Sequence, residues 1–365
     1  MASPSDIISI DGSFREGGGQ ILRTALALSV LTGRPFRAER IRSNRPTPGL
    51  RAQHLSALTA LSRISGGQAK GAQIGSQEIE FVPGEVTAGT YSLDIGTAGS
   101  VTLLLQALLL PCLFARGETT LRIRGGTDTR WSIPVDYFTH LILPVFRRFG
   151  GIEVLGMQRG FYPKGQGALE LRIRPERSPG PMKDTHAFLD ALRQRFQRLD
   201  FTSRGAAAAI QGSSVASAYL AKARVAERQA QAARDALGSK IPADIAEEYC
   251  SSASPGSVIT LWAVDREDRS LVGADALGER GKPAEAVGRE AIGRLLDTLN
   301  TQAAVDVHLA DNLIPLLALV SGAIRTVRIT DHIRANMYVC ERFLEVDFKL
   351  DEDVALISVD ADANS

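Results

Sequence analysis

The chain has 365 residues, 44% of them hydrophobic, and carries 42 Lys and Arg against 41 Asp and Glu, for a formal net charge of +1. That length can bury two or three packed domains, and the near-neutral balance excludes global polycationic binding of nucleic acid, so any basic surface must be local. Three widely spaced cysteines, Cys112, Cys250 and Cys340, offer neither metal-ligand spacing nor a disulfide framework; no apolar run is long enough to cross a bilayer, and no basic-then-apolar leader opens the sequence, so a cytoplasmic protein is expected.

In chain order, IISIDG (7–12) reads as a buried strand, SFREGGG as a loop, and GGQILRTALALSVLTG as a helix stopped at Gly33. FRAERI is strand-like, RSNRPTPGL is a loop, and AQHLSALTALSRISGG is a second glycine-stopped helix before the short strand candidates QAKGAQIG and QEIEFVP. The rhythm then repeats. YSLDIG, the small-residue turn TAGS, helix VTLLLQALLLPCLFARG, strand TTLRIRG, a helix from Pro134 and strands IEVLGM and LELRIRP form a second unit. Helix LADNLIPLLALVSG, strand IRTVRI, helix ANMYVCERFL and two further strands form a third. Three like units, each too small to be stable alone, predict an α+β protein of packed repeats, each a four-stranded sheet with two helices. Residues 176–275 break the rhythm: ERSPGPMKD reads as a boundary, followed by an inserted, smaller α/β domain with an Ala-rich helix. The core is then expected at 1–175 and 276–365, resuming with the amphipathic helix GKPAEAVGREAIGRLLDTLN.

Four stretches carry residues suited to chemistry. REGGGQ (15–20) precedes a helix, where glycines let backbone approach a phosphate; Glu16 fits there if a divalent cation bridges it to that phosphate, although a tight turn with a solvated Glu is as good a reading. RIRSNRPTPGLRAQH (40–54) holds Arg40, Arg42, Arg45 and Arg51 without an aromatic; a solvated basic loop is the commoner meaning of such a run, and if it binds a ligand it suits phosphate oxygens better than stacked bases. Gln106 lies inside an apolar helix. The stretch 308–343 carries His308, Asp311 and Asn312 at a helix start, and His332 on a polar turn between apolar elements, as a nucleophile or general base requires, a reading only modestly ahead of a satisfied surface imidazole. His54, His140 and His186 have no partner pattern and read as structural or exposed. RGFYPKGQG (159–167) joins two strands or touches phosphate. Walker A, HExxH, GxSxG and strand-borne GxGxxG motifs are absent from the sequence, so P-loop, zinc-protease, hydrolase and dinucleotide chemistries lack support.

Together, IDGSFREGGGQILRTALALS, IRSNRPTPGLRAQHL, RGFYPKGQG, HLADNLIP and the turn at His332 resemble, in order, the RNA 3′-terminal phosphate cyclase family. The resemblance implies three repeats of a unit like the C-terminal domain of a bacterial translation initiation factor, with a small α/β insert before the third. It implies ATP-dependent conversion of RNA 3′-phosphate ends to 2′,3′-cyclic phosphodiesters, with ATP as substrate and Mg or Mn as the metal. His332 matches the family nucleophile that becomes adenylylated. His308, Asp311 and Asn312 match the adenine pocket, Arg23, Arg42, Arg45 and Gln106 match positions lining the phosphate and nucleotide site, and Glu16 matches the metal-linked acid. Asn312 stands where the family usually has Gln, Gln166 where it usually has Gly, and DHIRAN lacks the usual Thr while keeping Asn336. Two rivals remain: a non-catalytic relative acting in RNA binding or ribosome assembly, against which His332 argues, and an enolpyruvyl-type transferase, which leaves HLADN and His332 unexplained. Exposed sheet edges allow a homodimer.

Overall fold

The structure is a computed structural model that describes residues 7–176, 184–239, 241–267 and 269–360. The boundary expected at 176–184 falls mostly on 177–183, which lie outside the described residues. Within them the chain forms four four-stranded sheets and ten α-helices.

The first sheet contains β1 (Ile8–Asp11), β2 (Phe36–Glu39), β3 (Gln68–Lys70) and β4 (Ile79–Val82), in the order β1-β2-β4-β3. β1 and β2 are parallel, and β4 is antiparallel to both its neighbours. A right-handed helix must fill the crossover between parallel strands; here it is α1 (Gly19–Thr32), followed after β2 by α2 (Ala52–Ser65). Gly33 and Gly66 end these helices in the left-handed conformation, at φ 70° and 72°, which glycine adopts without a Cβ clash.

The second sheet repeats the order with β5 (Gly89–Asp94), β6 (Thr119–Gly125), β7 (Gly150–Gln158) and β8 (Gly167–Pro175), arranged β5-β6-β8-β7. α3 (Val101–Leu113) makes its crossover. Its second helix, expected as one run from Pro134, is α4 (Val135–Tyr137) and α5 (Leu143–Phe146) joined by a π-helical turn at Phe138–Ile142.

After α6 (Thr185–Arg195) comes β9 (Leu199–Phe201). The fourth sheet follows: β10 (Ala209–Ser217), α7 (Val225–Leu237), β11 (Ala243–Cys250), β12 (Ser257–Val264), β13 (Ser270–Leu277) and α8 (Ala284–Leu299), with order β11-β10-β12-β13. Then α9 (Val307–Val320), β14 (Gly322–Arg325), α10 (Asp331–Leu344), β15 (Lys349–Asp351) and β16 (Leu356–Val359) complete the chain. β9 pairs in parallel with β14, and the order β9-β14-β16-β15 repeats that of the first two sheets.

Two expectations need correction here. β9 was expected within the inserted segment, yet it is the first strand of the third repeated sheet; three residues, LDF, show no readable period. α8 was expected to resume the core, yet it packs on α7, β12 and β13 and puts Val287, Ala291, Ile292 and Leu295 into the separate core of the fourth sheet. Its amphipathic pattern announces one buried face but not which sheet receives it.

α1 is buried on every side, from Gln20 to Thr32, because α2, α3 and α10 all pack against it. A helix apolar all round belongs in a core, and an arginine there must find a partner. Arg23 is therefore the residue to follow into the site.

Candidate active site

Arg23 donates from Nε to Gln106 Oε1 of α3 at 3.0 Å, Gln106 Nε2 donates to Asn312 Oδ1 of α9 at 3.0 Å, and Asn312 Nδ2 returns to the His308 carbonyl at 2.8 Å. One polar chain thus links helices from all three repeated sheets. A second runs beside it. Asp311 Oδ1 accepts from Gln20 Nε2 of α1 and from Asn336 Nδ2 of α10 at 3.1 Å, and Asn336 Oδ1 accepts from Thr24 at 2.5 Å. Burial raises the Asp311 carboxyl pKa; His332, the Gln20 amide, His308 and Arg23 pull the other way. Burial lowers the Arg23 guanidinium to about 10, and Asp311 opposes that shift. Both ions are held by polar side chains of neighbouring helices, as buried charge requires.

Members of both chains line one cavity of about 900 Å³ between the repeated sheets and the fourth sheet. His308, Asp311, Asn312, Gln106, Arg23 and His332 all face it. Asp306 caps α9 by accepting from the His308 and Leu309 amides at 2.9 and 3.0 Å, and takes the Tyr137 hydroxyl at 2.5 Å. Its other oxygen accepts from the Gly273 amide of β13 at 2.9 Å, tying the fourth sheet to the cavity wall. The His308 and Tyr137 rings meet at right angles, their centroids 6.0 Å apart.

His332 lies in the first turn of α10, which Thr330 caps by accepting from the Ile333 amide at 3.2 Å. The imidazole is half-exposed, with Nε2 3.3 Å from Glu16 Oε2, and the same Glu16 oxygen accepts from Arg45 at 2.8 Å. Glu16, Arg42 and Arg45 do not line the cavity; they meet it through the Glu16–His332 contact. Gly17, at φ 58°, and Gly18 lead into α1, whose N-terminus has no side-chain cap. A Cβ on Gly18 would sit 3.8 Å from the Arg45 guanidinium, so that arginine stands over uncapped helix amides, a favourable place for an anion. Arg42 is pushed down by burial and by its neighbours Arg45 and Arg51. Arg40, by contrast, is engaged with Asp11 at 2.7 Å.

A sequence profile of the RNA 3′-terminal phosphate cyclase family matches residues 14–350. The chain is 42% identical to the RNA 3′-terminal phosphate cyclase of Pyrococcus furiosus, over 94% of this chain and 95% of that one. It is 45% identical to that of Thermococcus onnurineus, over 95% and 96%, and 44% identical to that of Archaeoglobus fulgidus, over 93% and 96%. The chain belongs to the RNA 3′-terminal phosphate cyclase family.

Several residues in and around this candidate site carry no readable sequence signal. His54 is buried beneath α1: a Cβ on Gly19 would lie 2.0 Å from its Nε2. Its Nδ1 accepts from the Arg51 amide at 3.0 Å. Burial first, then Arg23, Arg42 and Arg51, lower it to about 3, so it adds no positive charge to the arginine cluster. Asp275 of β13 lines the cavity, and burial pushes it up to about 6 against the pull of His308 and Arg294. Gln20 keeps Oε1 buried without a partner among the described residues. Arg159 of RGFYPKGQG lies outside the cavity, buried against Asp128 at 3.2 Å and Asp136 at 2.7 Å. Of the other histidines, His140 stacks on Trp262 at 4.1 Å and His186 lies 3.5 Å from Glu345.

Among the described residues, no group of three or more His, Cys, Asp or Glu side chains is arranged to hold a metal. A single carboxylate such as Glu16 could serve only a cation that takes its other ligands from phosphate oxygens and water, the usual habit of Mg²⁺.

Proposed function

We propose that the chain converts an RNA 3′-terminal phosphate into a 2′,3′-cyclic phosphodiester, consuming ATP through a histidine–AMP intermediate on His332. The observation that carries this reading is the convergence of a half-exposed imidazole, Glu16 and Arg45 at the edge of a cavity lined by Arg23, Gln106 and Asn312. A phosphate monoester is a poor electrophile, and adenylylation supplies the leaving group it lacks. A ring nitrogen of His332 attacks the α-phosphorus of ATP, and pyrophosphate departs. The RNA phosphate then displaces the imidazole from AMP. The neighbouring 2′-OH closes on the activated phosphorus and expels AMP; covalent catalysis and proximity divide the barrier among these steps.

Arg45, Arg42 and the amides at the start of α1 neutralise the phosphates. Arg23 and Gln106 hold the α-phosphate side of the nucleotide. Asp311, Asn312 and His308 form the adenine pocket, where the unpartnered Gln20 Oε1 adds an acceptor suited to an exocyclic amine. Glu16 would hold Mg²⁺ or Mn²⁺, which when bound withdraws charge from the phosphoryl oxygens. The three like sheets are read as repeats of the initiation-factor type, and the fourth as their insert. No helix among the described residues is long and apolar enough to cross a membrane.

Incubation with ATP labelled at the α-phosphate and a divalent metal tests the central step. Acid-labile, alkali-stable label on the protein, absent from His332→Ala, is expected. Unlabelled wild type, or label retained in His332→Ala, would refute the intermediate; it would leave a binding protein or an enolpyruvyl-type transferase as the reading.

A further inference from the structure

Of the two tryptophans, Trp262 is buried, whereas Trp131 is 92% exposed on the lip of the cavity that holds His332. The other strongly exposed aromatics, Tyr162 and Tyr219, lie outside that lining. Trp131 also has φ 68°, a region that bulky residues rarely occupy. Its turn is held from several directions. Ser132 Oγ donates to the Thr129 carbonyl at 2.9 Å, Thr102 of α3 donates to the Ile133 carbonyl at 2.8 Å, and Arg130 pairs with Glu279 just beyond β13. A strained backbone fixed by its neighbours, presenting a bare indole at a cavity mouth, points to function rather than packing.

We propose that Trp131 is the platform on which the base of the RNA 3′-terminal nucleotide stacks. The inference rests on the function proposed above and adds a subsite to it. An indole face attracts any nucleobase, and stacking tolerates sequence, as an enzyme acting on RNA ends requires. The base of ATP is the less fitting occupant. Its expected place is the enclosed wall of Asp311, Asn312 and Gln20, whereas an RNA strand has to leave the cavity into solvent across its lip. The arginine loop at 40–54 contains no Phe, Trp or Tyr, so it offers phosphate contacts but no stacking platform of its own.

The test uses the full chain, a short oligoribonucleotide ending in a 3′-phosphate, and the same oligonucleotide with an abasic terminal nucleotide. The normal oligonucleotide is expected to quench Trp131 fluorescence and the abasic one to leave it unchanged. Trp131→Ala should weaken RNA binding roughly 5- to 150-fold, the range of a single stacked base, and Trp131→Phe should recover most of it. Labelling of His332 by ATP without RNA should proceed in Trp131→Ala at the wild-type rate. Wild-type RNA affinity in Trp131→Ala would overturn the proposal. So would equal binding of the abasic oligonucleotide, or quenching by ATP alone together with slowed labelling, which would assign the indole to ATP. A chain that never labels His332 refutes the intermediate, while the RNA titration still decides the fate of the platform.

Discussion

Glu16 holds Arg45 at 2.8 Å and His332 at 3.3 Å through one oxygen. In Glu16→Gln the side chain keeps its shape and loses the charge that faces the imidazole and, on the proposed function, would hold the cation. Single-turnover labelling of His332 should slow by roughly 10²- to 10³-fold, the usual cost of one preorganised electrostatic group; a rate within threefold of wild type would remove Glu16 from the reaction. Asn336 is buried and bridges Asp311 to Thr24. Asn336→Ala leaves a buried carboxylate short of a donor, so a urea midpoint shift worth about 2 kcal/mol is expected. His332, Glu16 and Arg45 could be picked from the sequence because titratable and cationic residues stand out on turns. His54 and Asp275 could not, since nothing local records that one lies under Gly19 and the other faces a cavity built by a distant segment.

At the scale of elements, the first turn of α1 and His54 form a wedge. A Cβ on Gly19 would collide with His54 Nε2 at 2.0 Å, so Gly19→Ala must displace the helix end that the phosphate reading depends on. A loss of about 1–3 kcal/mol is expected for such overpacking. Adding His54→Ala should restore part of it, a coupling that a double-mutant cycle measures. The same imidazole gives a pH signature. Folded His54 stays neutral down to about 3, against 6.5 for an ordinary histidine. Between those values unfolding takes up a proton, so this contribution is complete above pH 6.5 and is lost as pH falls towards 3, at up to about 1.4 kcal/mol per pH unit. His54→Asn, which keeps an acceptor for the Arg51 amide, should flatten the decline in chemical stability between pH 7 and 5; an unchanged slope would contradict the burial argument. Glycine-stopped helices such as α1 and α2 are legible because their punctuation is local. β9 and the seat of α8 are not, because strand pairing and helix docking are set by residues far away in the chain.

Across the whole molecule, a net charge of +1 hides local concentrations of charge. Arg159, Asp128 and Asp136 form a buried cluster, and Ser213 of β10 donates to Asp136, so a hydrogen bond to a buried ion fastens the fourth sheet to the second unit. Burial opposes the Arg159 charge, but the two aspartates outweigh it and raise its pKa. Arg159→Ala would leave two buried carboxylates uncompensated, and a cost of about 3–5 kcal/mol in a urea titration is expected. The cavity lies between the fourth sheet and the repeated sheets, its wall taking Asp275 from β13 and Asp311 from α9, so the way these sheets are joined sets its shape. The proposed chemistry is tested most directly on an RNA whose 3′-terminal phosphate carries the label. With ATP and Mg²⁺ or Mn²⁺, the chain should render that phosphate resistant to phosphatase as a 2′,3′-cyclic end, forming one AMP per end closed, and His332→Ala should not. A terminal phosphate that stays sensitive to phosphatase while ATP is consumed would contradict the account.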